Sequence, residues 1–580
     1  MYDEKFFISR SMELIGKAYR GKLWWLYLLL ALIIVNYLAS QFHFRLDLTK
    51  EKRFTITQPT RDLLKELDDV VEIQVFLAND LSAGFRKLRN AAEELLTEFR
   101  TYGNRNLTFR FVQPGQDLPD SARSQLYDSL TRMGIGPVPD ISVSEEQDEQ
   151  SQQLVFPSAI ARYKDFEIPI NLLSSKSGMS KEATLNYSEN LLEYKFADAI
   201  HKLTRKTVPI VAYAVGNGQP LNPTVNDLFN SLRNNYRLGV LDLKNGYIDA
   251  DSVKALLIVK PSTAFSDIEK LKIDQYIMQG GRVLWFIDRV YAEFDSLLRS
   301  QSDFVAFDKN LNLEDQLFRY GVRINIDLVQ DIKCARQPLV VGMVGNQPQI
   351  ERVPFPYYPL LSAPVPHVVS KNLGDVLSVF PSSIDTVQTE GVTKTVLLAT
   401  DTNSRTLSTP AIVSLQSIKS EDDFRQFNKS HIPVAVLLEG NFTSLFRNRM
   451  SQTLRDSLAK YHNKPFAEAA VKPSKQIVVS DADLVTNVIS ATDDALPMGV
   501  QLFENYQFAN REFFMNCMDY MVSDRNLLAS RNKEFSLRLL DREKVRDNKR
   551  VIQIANLALP VLLVIIFAAL YFTLRKRRYQ

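Results

Sequence analysis

The chain has 580 residues, of which 45% are hydrophobic and 24% charged, and its 70 basic and 67 acidic side chains leave a net charge of +3. This length predicts about three to five domains, and the composition is that of folded protein and excludes long intrinsic disorder. Two cysteines exclude a disulfide-stapled mini-domain and a multi-cysteine zinc module. The nearly balanced charge gives no case for a nucleic-acid partner.

Long apolar segments lie near both ends of the chain. Residues 23–40 read LWWLYLLLALIIVNYLAS, and residues 551–572 read VIQIANLALPVLLVIIFAALYF. As helices they would span roughly 27 and 33 Å, enough to cross a lipid bilayer. We therefore predict two transmembrane helices that flank the body and leave residues 1–22 and the basic tail 573–580 outside the bilayer. The flanking basic residues are nearly equal in number, so charge alone does not fix the orientation.

Residues 41–204 form the first predicted α/β domain. Strands over 70–77 and 107–112 flank a helix over 85–102, which is a β-α-β unit and favours a parallel pair with a right-handed crossover. The polar run 144–153 is expected to be a hairpin tip or loop, and a helix over 189–203 ends the domain.

Residues 205–530 form a second, doubly wound α/β domain in which apolar strands alternate with helices. The predicted strands are 208–215, 238–243, 255–260 and 283–287, the predicted helices are 225–235 and 267–279, and later strands near 395–400, 434–438 and 476–480 are expected to continue the same sheet. A proline-rich insertion at about 330–395 is expected to be a packed irregular connection, with a ligand-facing lip as the alternative. Residues 531–550 form a charged stalk before the second membrane helix.

Motifs for common chemistry are missing from the sequence. It contains no P-loop, no G-x-G-x-x-G after a strand and no G-x-S-x-G elbow, and no two of its five histidines are four residues apart. The doubly wound unit resembles the class I glutamine-amidotransferase-like fold, which needs a cysteine nucleophile. No cysteine precedes Cys334, so we predict that this unit is not catalytic and has no catalytic, cofactor-binding or metal-binding residue.

Two pairs of residues leave alternatives open. Asp481 and Asp483 follow an apolar strand and could hold Mg²⁺, but we favour the interpretation that they cap the N-terminus of a helix. Cys334 and Cys517 could pair in an oxidising compartment, or each could be a buried free thiol, which we favour.

The sequence also carries a family pattern. The segments Arg45–Leu77, Ala83–Pro114, Tyr357–Leu373, Ser480–Asn487 and Gln507–Met521 resemble the ABC-type transport auxiliary family, in particular its gliding-motility-associated members of the GldG type. The resemblance implies a substrate-binding-like auxiliary subunit that works with an ABC permease subunit and a cytoplasmic ATP-binding subunit. It also implies attachment to the bacterial inner membrane, with both termini cytoplasmic and the body periplasmic.

The leading hypothesis is therefore a non-enzymatic envelope subunit that contacts the lipid bilayer. One alternative is an envelope hydrolase or amidotransferase-like enzyme that uses Asp481 and Asp483, or Cys517 with a distant histidine. Another is a purely structural scaffold, and assembly as a homo-oligomer stays open.

Overall fold

The computed structural model describes residues 55–530 with gaps, residues 549–579, and six isolated residues nearer the start of the chain. The six are 25, 29, 30, 32, 33 and 36; the gaps are 79–80, 117, 133–134, 144–149, 175–178, 295, 298–302, 345–346, 415–420, 451–454, 456–463, 491–494, 502–505, 524–526 and 528–529. The prediction of a membrane helix over residues 23–40 lies, apart from those six positions, outside the described residues.

The chain divides into two compact units, residues 1–533 and residues 534–580. The first unit contains both predicted α/β domains.

The first domain is built on a four-stranded sheet of order β2-β1-β5-β6. Its elements are α1 (Gln58–Lys65), β1 (Val71–Val75), α2 (Ala83–Gly103), β2 (Leu107–Phe111), α3 (Asp120–Arg132), β3 (Val138–Val143), β4 (Gln150–Val155), β5 (Ser158–Tyr163), β6 (Phe166–Asn171) and α4 (Lys181–Thr204). The strands β1 and β2 are parallel, so the β-α-β prediction is confirmed.

Helix α2 forms because its apolar residues recur at helical spacing and can all face the sheet. Phe85, Leu88, Leu96 and Phe99 are at most 1% exposed and pack against β1.

Two predicted boundaries in the first domain were wrong. Residues from Gln150 onward belong to β4, paired with β3, and not to a loop. Helix α4 begins at Lys181, because the Ser180 side chain accepts a hydrogen bond from the Ala183 amide and caps it.

The second domain is built on a seven-stranded sheet of order β19-β22-β23-β10-β9-β7-β8. The sheet and its helices consist of β7 (Ile210–Val215), α5 (Asn226–Arg233), β8 (Arg237–Asp242), β9 (Val253–Val259), α6 (Asp267–Met278), β10 (Arg282–Phe286) and, after an insertion, β19 (Val392–Ala399), β22 (Pro433–Gly440), β23 (Ser474–Val479) and α9 (Asn510–Val522). Five neighbouring strands from β23 to β8 are parallel, and β22 and β19 extend the sheet in antiparallel fashion. The prediction that the late strands continue the same sheet is confirmed.

Apolar residues on both faces explain the unbroken hydrophobic strands. Leu257 of β9 faces a cluster formed with α5 and α9, whereas its neighbour Ile258 faces a cluster formed with α6 and the helix Glu314–Tyr320. A parallel sheet covered on both sides needs apolar residues at every position, because alternate side chains point to opposite faces. Helix α6 begins with a capping box in which Ser266 and Glu269 satisfy each other's backbone amides.

The insertion forms small antiparallel sheets with their own apolar core. Its elements are β11 (Val290–Tyr291), β12 (Asp303–Asp308), α7 (Glu314–Tyr320), β13 (Val322–Ile324), β14 (Asp327–Asp331), β15 (Cys334–Val344), β16 (Gln347–Leu361), β17 (Val376–Leu377), β18 (Ile384–Thr386), and, beyond β19, β20 (Ser404–Ser408), β21 (Ala411–Ser414) and α8 (Glu421–Phe424). The expectation of an irregular connection was wrong for its proline-rich part, where β15 and β16 form a long hairpin. Such a ribbon tolerates proline where an N–H points away from the partner strand.

The second unit contains helix α10 (Lys549–Tyr579), with Pro560 inside it. Its residues Asn556–Arg577 have a mean hydropathy of 2.6 and none of the apolar window is buried. This helix is long and apolar enough to span a membrane, which agrees with the predicted span at 551–572.

A candidate ligand cleft at the carboxyl edge of the sheet

Four parallel strands of the second domain end at the same edge of the sheet, and polar residues follow each of them. Asn217 follows β7, Lys260 follows β9, Asp288 follows β10, and Asp481 and Asp483 follow β23. The chain goes from β7 to β8 on one side and then to β9 on the other, so the sheet has a topological switch point between β7 and β9. Ligands of open α/β sheets bind in the crevice at such a point.

The loops on the two sides of the switch point are joined by backbone hydrogen bonds. The Asn217 carbonyl accepts from the amides of Ser262 and Thr263, at 2.9 and 3.1 Å. Gly218 makes this approach possible, because it has a positive φ of 76° and a Cβ there would lie 2.0 Å from the Ser262 Oγ.

A cleft of about 1020 Å³ opens over this edge. The sheet loops form its floor through Gly218, Asn222, Lys260, Ser262 and Asp483; the insertion and the end of β12 form its wall through Tyr291, Phe294, Phe307, Lys309 and Tyr358. The rings of Tyr291 and Phe307 stack with centroids 5.2 Å apart, and both side chains are exposed. Tyr358 belongs to the proline-rich hairpin, so this part of the insertion contributes to the lining of the cleft.

Three carboxylates meet below this cleft. One oxygen each from Asp288, Asp481 and Asp483 lies within 4.8 Å of the others. The Lys260 ammonium pairs with Asp483 and lies 3.7 Å from Asp288. The Lys309 ammonium lies 3.3 Å from Asp288. The cluster is thus an ion-pair network, in which Asp288 and Lys260 join the two aspartates that the sequence singled out.

The charges in this network determine the protonation of its members. Burial, with repulsion from Asp483 and Asp288, raises the pKa of Asp481 well above its ordinary value. Burial also acts to raise the pKa of Asp288, but Lys309 and Lys260 outweigh it and the pKa is lowered. Burial opposes the charged form of Lys260, yet Asp483 and Asp288 raise the pKa of this ammonium group.

The cluster is better suited to holding the loops together than to holding a metal ion. Asp481 is fully buried, and its Oδ1 accepts from the Asp483 amide at 2.8 Å. Its Oδ2 accepts from the Ser378 hydroxyl at 2.5 Å and the Val379 amide at 2.7 Å. Two ammonium groups already supply the positive charge that a cation would bring. The prediction that the two aspartates cap a helix was wrong, because the segment that follows is a short 3₁₀ turn, Asp483–Val485, whose N-cap residue Ala482 makes no side-chain cap hydrogen bond.

The cysteines lie away from the cleft. Both are free, and Cys517 is buried on α9 in the core. Burial raises the pKa of the Cys517 thiol well above its usual range and that of Cys334 to about 12. Within the described residues no hydrogen bond joins Cys517 to a histidine ring, and a protonated thiol is a poor nucleophile.

The aromatic wall of the cleft was not predicted. Tyr291 and Phe307 lie on short strands of the insertion that carry little periodicity, and only their pairing in space places them together. The floor could have been predicted from the sequence, because Asn217 and Lys260 lie within two residues of the ends of the two apolar strands that flank the switch point.

The fold defines an α/β protein with a cleft at the switch point of its seven-stranded sheet. Residues 208–517, more than half of the chain, match the family described as "ABC-type uncharacterized transport system", and the chain belongs to that family. It is accordingly an auxiliary protein of an ABC transport system. Residues 50–162 match a domain of unknown function (DUF7088).

Two solved structures show distant similarity to the chain. The mmIFT52 N-terminal domain is 11% identical, with 54% of this chain and 97% of that chain covered and a TM-score of 0.29. The exo-beta-1,4-mannosidase Op5Man5 from Opitutaceae bacterium strain TAV5 is 10% identical, with 73% and 51% covered and a TM-score of 0.20. These scores are too low to support an argument. No curated protein matches the chain.

Proposed function

We propose that this protein is a membrane-anchored, non-catalytic auxiliary subunit of an ABC transporter that binds a ligand in the cleft at its switch point. The body lies in the periplasm, and helices over residues 23–40 and 551–572 hold it in the bacterial inner membrane with both termini cytoplasmic. Its partners are a permease subunit and a cytoplasmic ATP-binding subunit. The observation that carries the proposal is the cleft at the switch point, which lies within the family-matched part of the chain.

Membrane anchoring is supported by the apolar helix at residues 556–577. The apolar segment at residues 23–40 supports a second anchor. The resemblance to gliding-motility-associated members supports a role in gliding or envelope transport. We also propose that the doubly wound sheet has the amidotransferase-like fold without its catalytic activity.

A non-catalytic role is supported by the state of the reactive groups. The thiols have raised pKa values, and the carboxylate cluster is neutralised by Lys260 and Lys309. Asp481, whose raised pKa would suit a general acid, is completely buried and bonded to the backbone. A catalytic acid must lie within hydrogen-bond distance of its substrate, and Asp481 is not among the residues that line the cleft.

The open part of the cleft indicates the chemistry of the ligand. Lys260, Lys309 and Asp308 are each engaged in ion pairs, whereas the Tyr291 and Phe307 rings are exposed. A ligand therefore meets aromatic faces, neutral polar groups such as Asn222 and Ser262, and the carboxylate of Glu293. We infer a polar ligand that has an apolar face and carries no negative charge.

Site-specific photocrosslinking in native membranes tests ligand binding. A benzophenone amino acid replaces Tyr291 at the cleft or, as control, Phe166, which is 70% exposed on the first domain. We expect a reproducible adduct, identified by mass spectrometry, at position 291 only, and its loss when Gly218→Ala is added. Adducts of equal yield at both positions, or none at position 291, would refute a binding cleft.

Co-purification tests the transporter role. The full chain, solubilised from native membranes, should retain a permease and an ATP-binding subunit, and a chain ending at residue 548 should lose them. Isolation of the full chain free of transporter subunits would contradict the proposal. The enzyme alternative predicts that an Asp481→Ala/Asp483→Ala double variant abolishes function while it stays folded; we expect instead that any loss of function parallels a loss of stability.

A further inference from the structure

A second concave site lies at the opposite edge of the seven-stranded sheet. This basic crevice, of about 440 Å³, is formed where the last turns of α4 in the first domain meet the start of β9, β10 and β23 and the end of α9. It is separate from the switch-point cleft, and no lining residue is shared between the two. Any ligand here would contact both domains at once.

Positive side chains outnumber negative ones in the basic crevice. The basic residues are His201, Lys202, Arg205, Lys254, Arg282 and Lys475, against the carboxylates Asp198 and Asp519.

Several of these charges are already engaged. Lys202 pairs with Asp198 at 2.6 Å, and Lys475 pairs with Glu439 at 3.3 Å. Asp519 accepts hydrogen bonds from the hydroxyls of Tyr236 and Tyr194, at 2.5 and 3.0 Å.

Arg205 and Lys254 are the basic side chains of the crevice that could bind an anion. Among the residues that the structure describes, no carboxylate lies within ion-pair distance of either side chain. The Arg205 Nε is buried and has no hydrogen-bond partner. Burial lowers the pKa of the Arg205 guanidinium, while the charges of Tyr236, Asp198 and Asp519 act in the opposite direction without outweighing it. A buried, unpaired N–H costs free energy, which an anionic acceptor would recover.

The ends of the helices explain only part of this charge. Cations are favoured at a helix C-terminus, which accounts for His201 and Lys202 in the last turn of α4. Lys254 and Arg282 lie instead at the starts of β9 and β10. Arg205 is the C-cap residue of α4, so the helix dipole favours its charge as well. The convergence of Lys254 and Arg282 from two strands onto the same crevice is not a consequence of that dipole.

We propose that the basic crevice binds a phosphate-bearing anion, either a soluble phosphate compound or the headgroup of an anionic phospholipid. The planar guanidinium of Arg205 can donate two parallel hydrogen bonds to phosphate oxygens, and Lys254 adds a mobile point charge. This inference does not depend on the proposed function of the cleft, because it uses a different edge of the sheet.

Calorimetry and thermal unfolding of the full chain in neutral detergent test the proposal. The soluble probe is inorganic pyrophosphate, and the lipid probes are dioctanoyl phosphatidylglycerol and, for comparison, zwitterionic dioctanoyl phosphatidylcholine. We expect pyrophosphate or phosphatidylglycerol to bind and raise the Tm, with an affinity that falls as salt is added. Whichever of the two binds more tightly identifies the source of the phosphate group.

Three variants make the result specific. Arg205→Gln/Lys254→Gln should weaken binding by roughly tenfold to a hundredfold, the loss expected for two charge-assisted contacts. Arg336→Gln/Arg352→Gln, which removes two exposed charges from the insertion hairpin, should bind as the wild type does. Lys254→Gln alone changes an exposed side chain and so leaves the fold intact; it should weaken binding by a smaller factor. Absence of binding by both probes, or equal affinity in the wild type and the first variant, would overturn the proposal.

Discussion

Lys260→Met is expected to destabilise the second domain because it leaves the carboxylate cluster short of one positive charge. The ammonium pairs with Asp483 and lies 3.7 Å from Asp288, and the side chain is 27% exposed. At an effective dielectric constant near 20, two charges at this separation attract by about 4–5 kcal/mol. Desolvation offsets part of this attraction, so we expect a net loss of about 2–3 kcal/mol in the free energy of unfolding.

The loss should depend on pH in a defined direction. The pKa of Asp288 is lowered in the folded protein, so its ionisation contributes stability above its unfolded pKa of about 3.9, and this is lost as the pH falls through the folded value. The pKa of Lys260 is raised, so its contribution is complete below its unfolded pKa of about 10.4 and is lost as the pH rises through the folded value. The difference between wild type and variant should therefore be largest between about pH 5 and pH 9 and shrink in acid.

Urea unfolding followed by tryptophan fluorescence measures this difference. Trp285 is buried on β10, three residues before Asp288, and reports on the second domain. Lys244→Met, at an exposed lysine, is the control and should change stability by less than about 0.5 kcal/mol. In a double-mutant cycle with Asp483→Asn, the two changes should be non-additive by about 1 kcal/mol or more. A loss that does not vary with pH, together with an additive cycle, would refute the ion-pair interpretation.

Three further predictions concern the cleft, the core and a helix cap. Gly218→Ala should destabilise the domain by about 1–3 kcal/mol in the same assay, because of its positive φ and the approach of Ser262, whereas Gly136→Ala, with no atom within 4 Å of its added Cβ, should not. Cys517 should resist iodoacetamide in the folded protein and react on unfolding, as followed by mass spectrometry; rapid native labelling would contradict its buried, protonated state. Ser266→Ala should cost about 1 kcal/mol in urea unfolding through loss of the capping box, and no change would show that α6 does not need it.

The strands of the second domain could be predicted from sequence because each is a short apolar run between polar turns. The arrangement of the cluster could not. Asp288 and Lys260 come from strands far from Asp483 in the chain, and only the order of strands in the sheet brings them together. The proline-rich segment could not be predicted for a different reason. Its prolines argue against a strand, yet Pro354 lies opposite Arg336 in a paired β-hairpin. Local backbone preference disfavoured a strand there, and pairing with a partner strand outweighed it.

Helix α9 connects the two sites that the structure defines. Asn510 at its start lines the cleft and bonds to the backbone of Leu377, and Asp519 near its end lines the basic crevice. These positions are about 13 Å apart along the helix. Asp519 also accepts a hydrogen bond from Tyr194 on α4. A displacement of α9 on ligand binding would therefore move or break a contact with the first domain. Coupling of this kind requires that the ligand bind two positions of α9 with different affinity. If the two sites are coupled in this way, an anion bound in the basic crevice must change the affinity of the cleft for its ligand. The cleft ligand must then change the affinity of the crevice for the anion by the same factor.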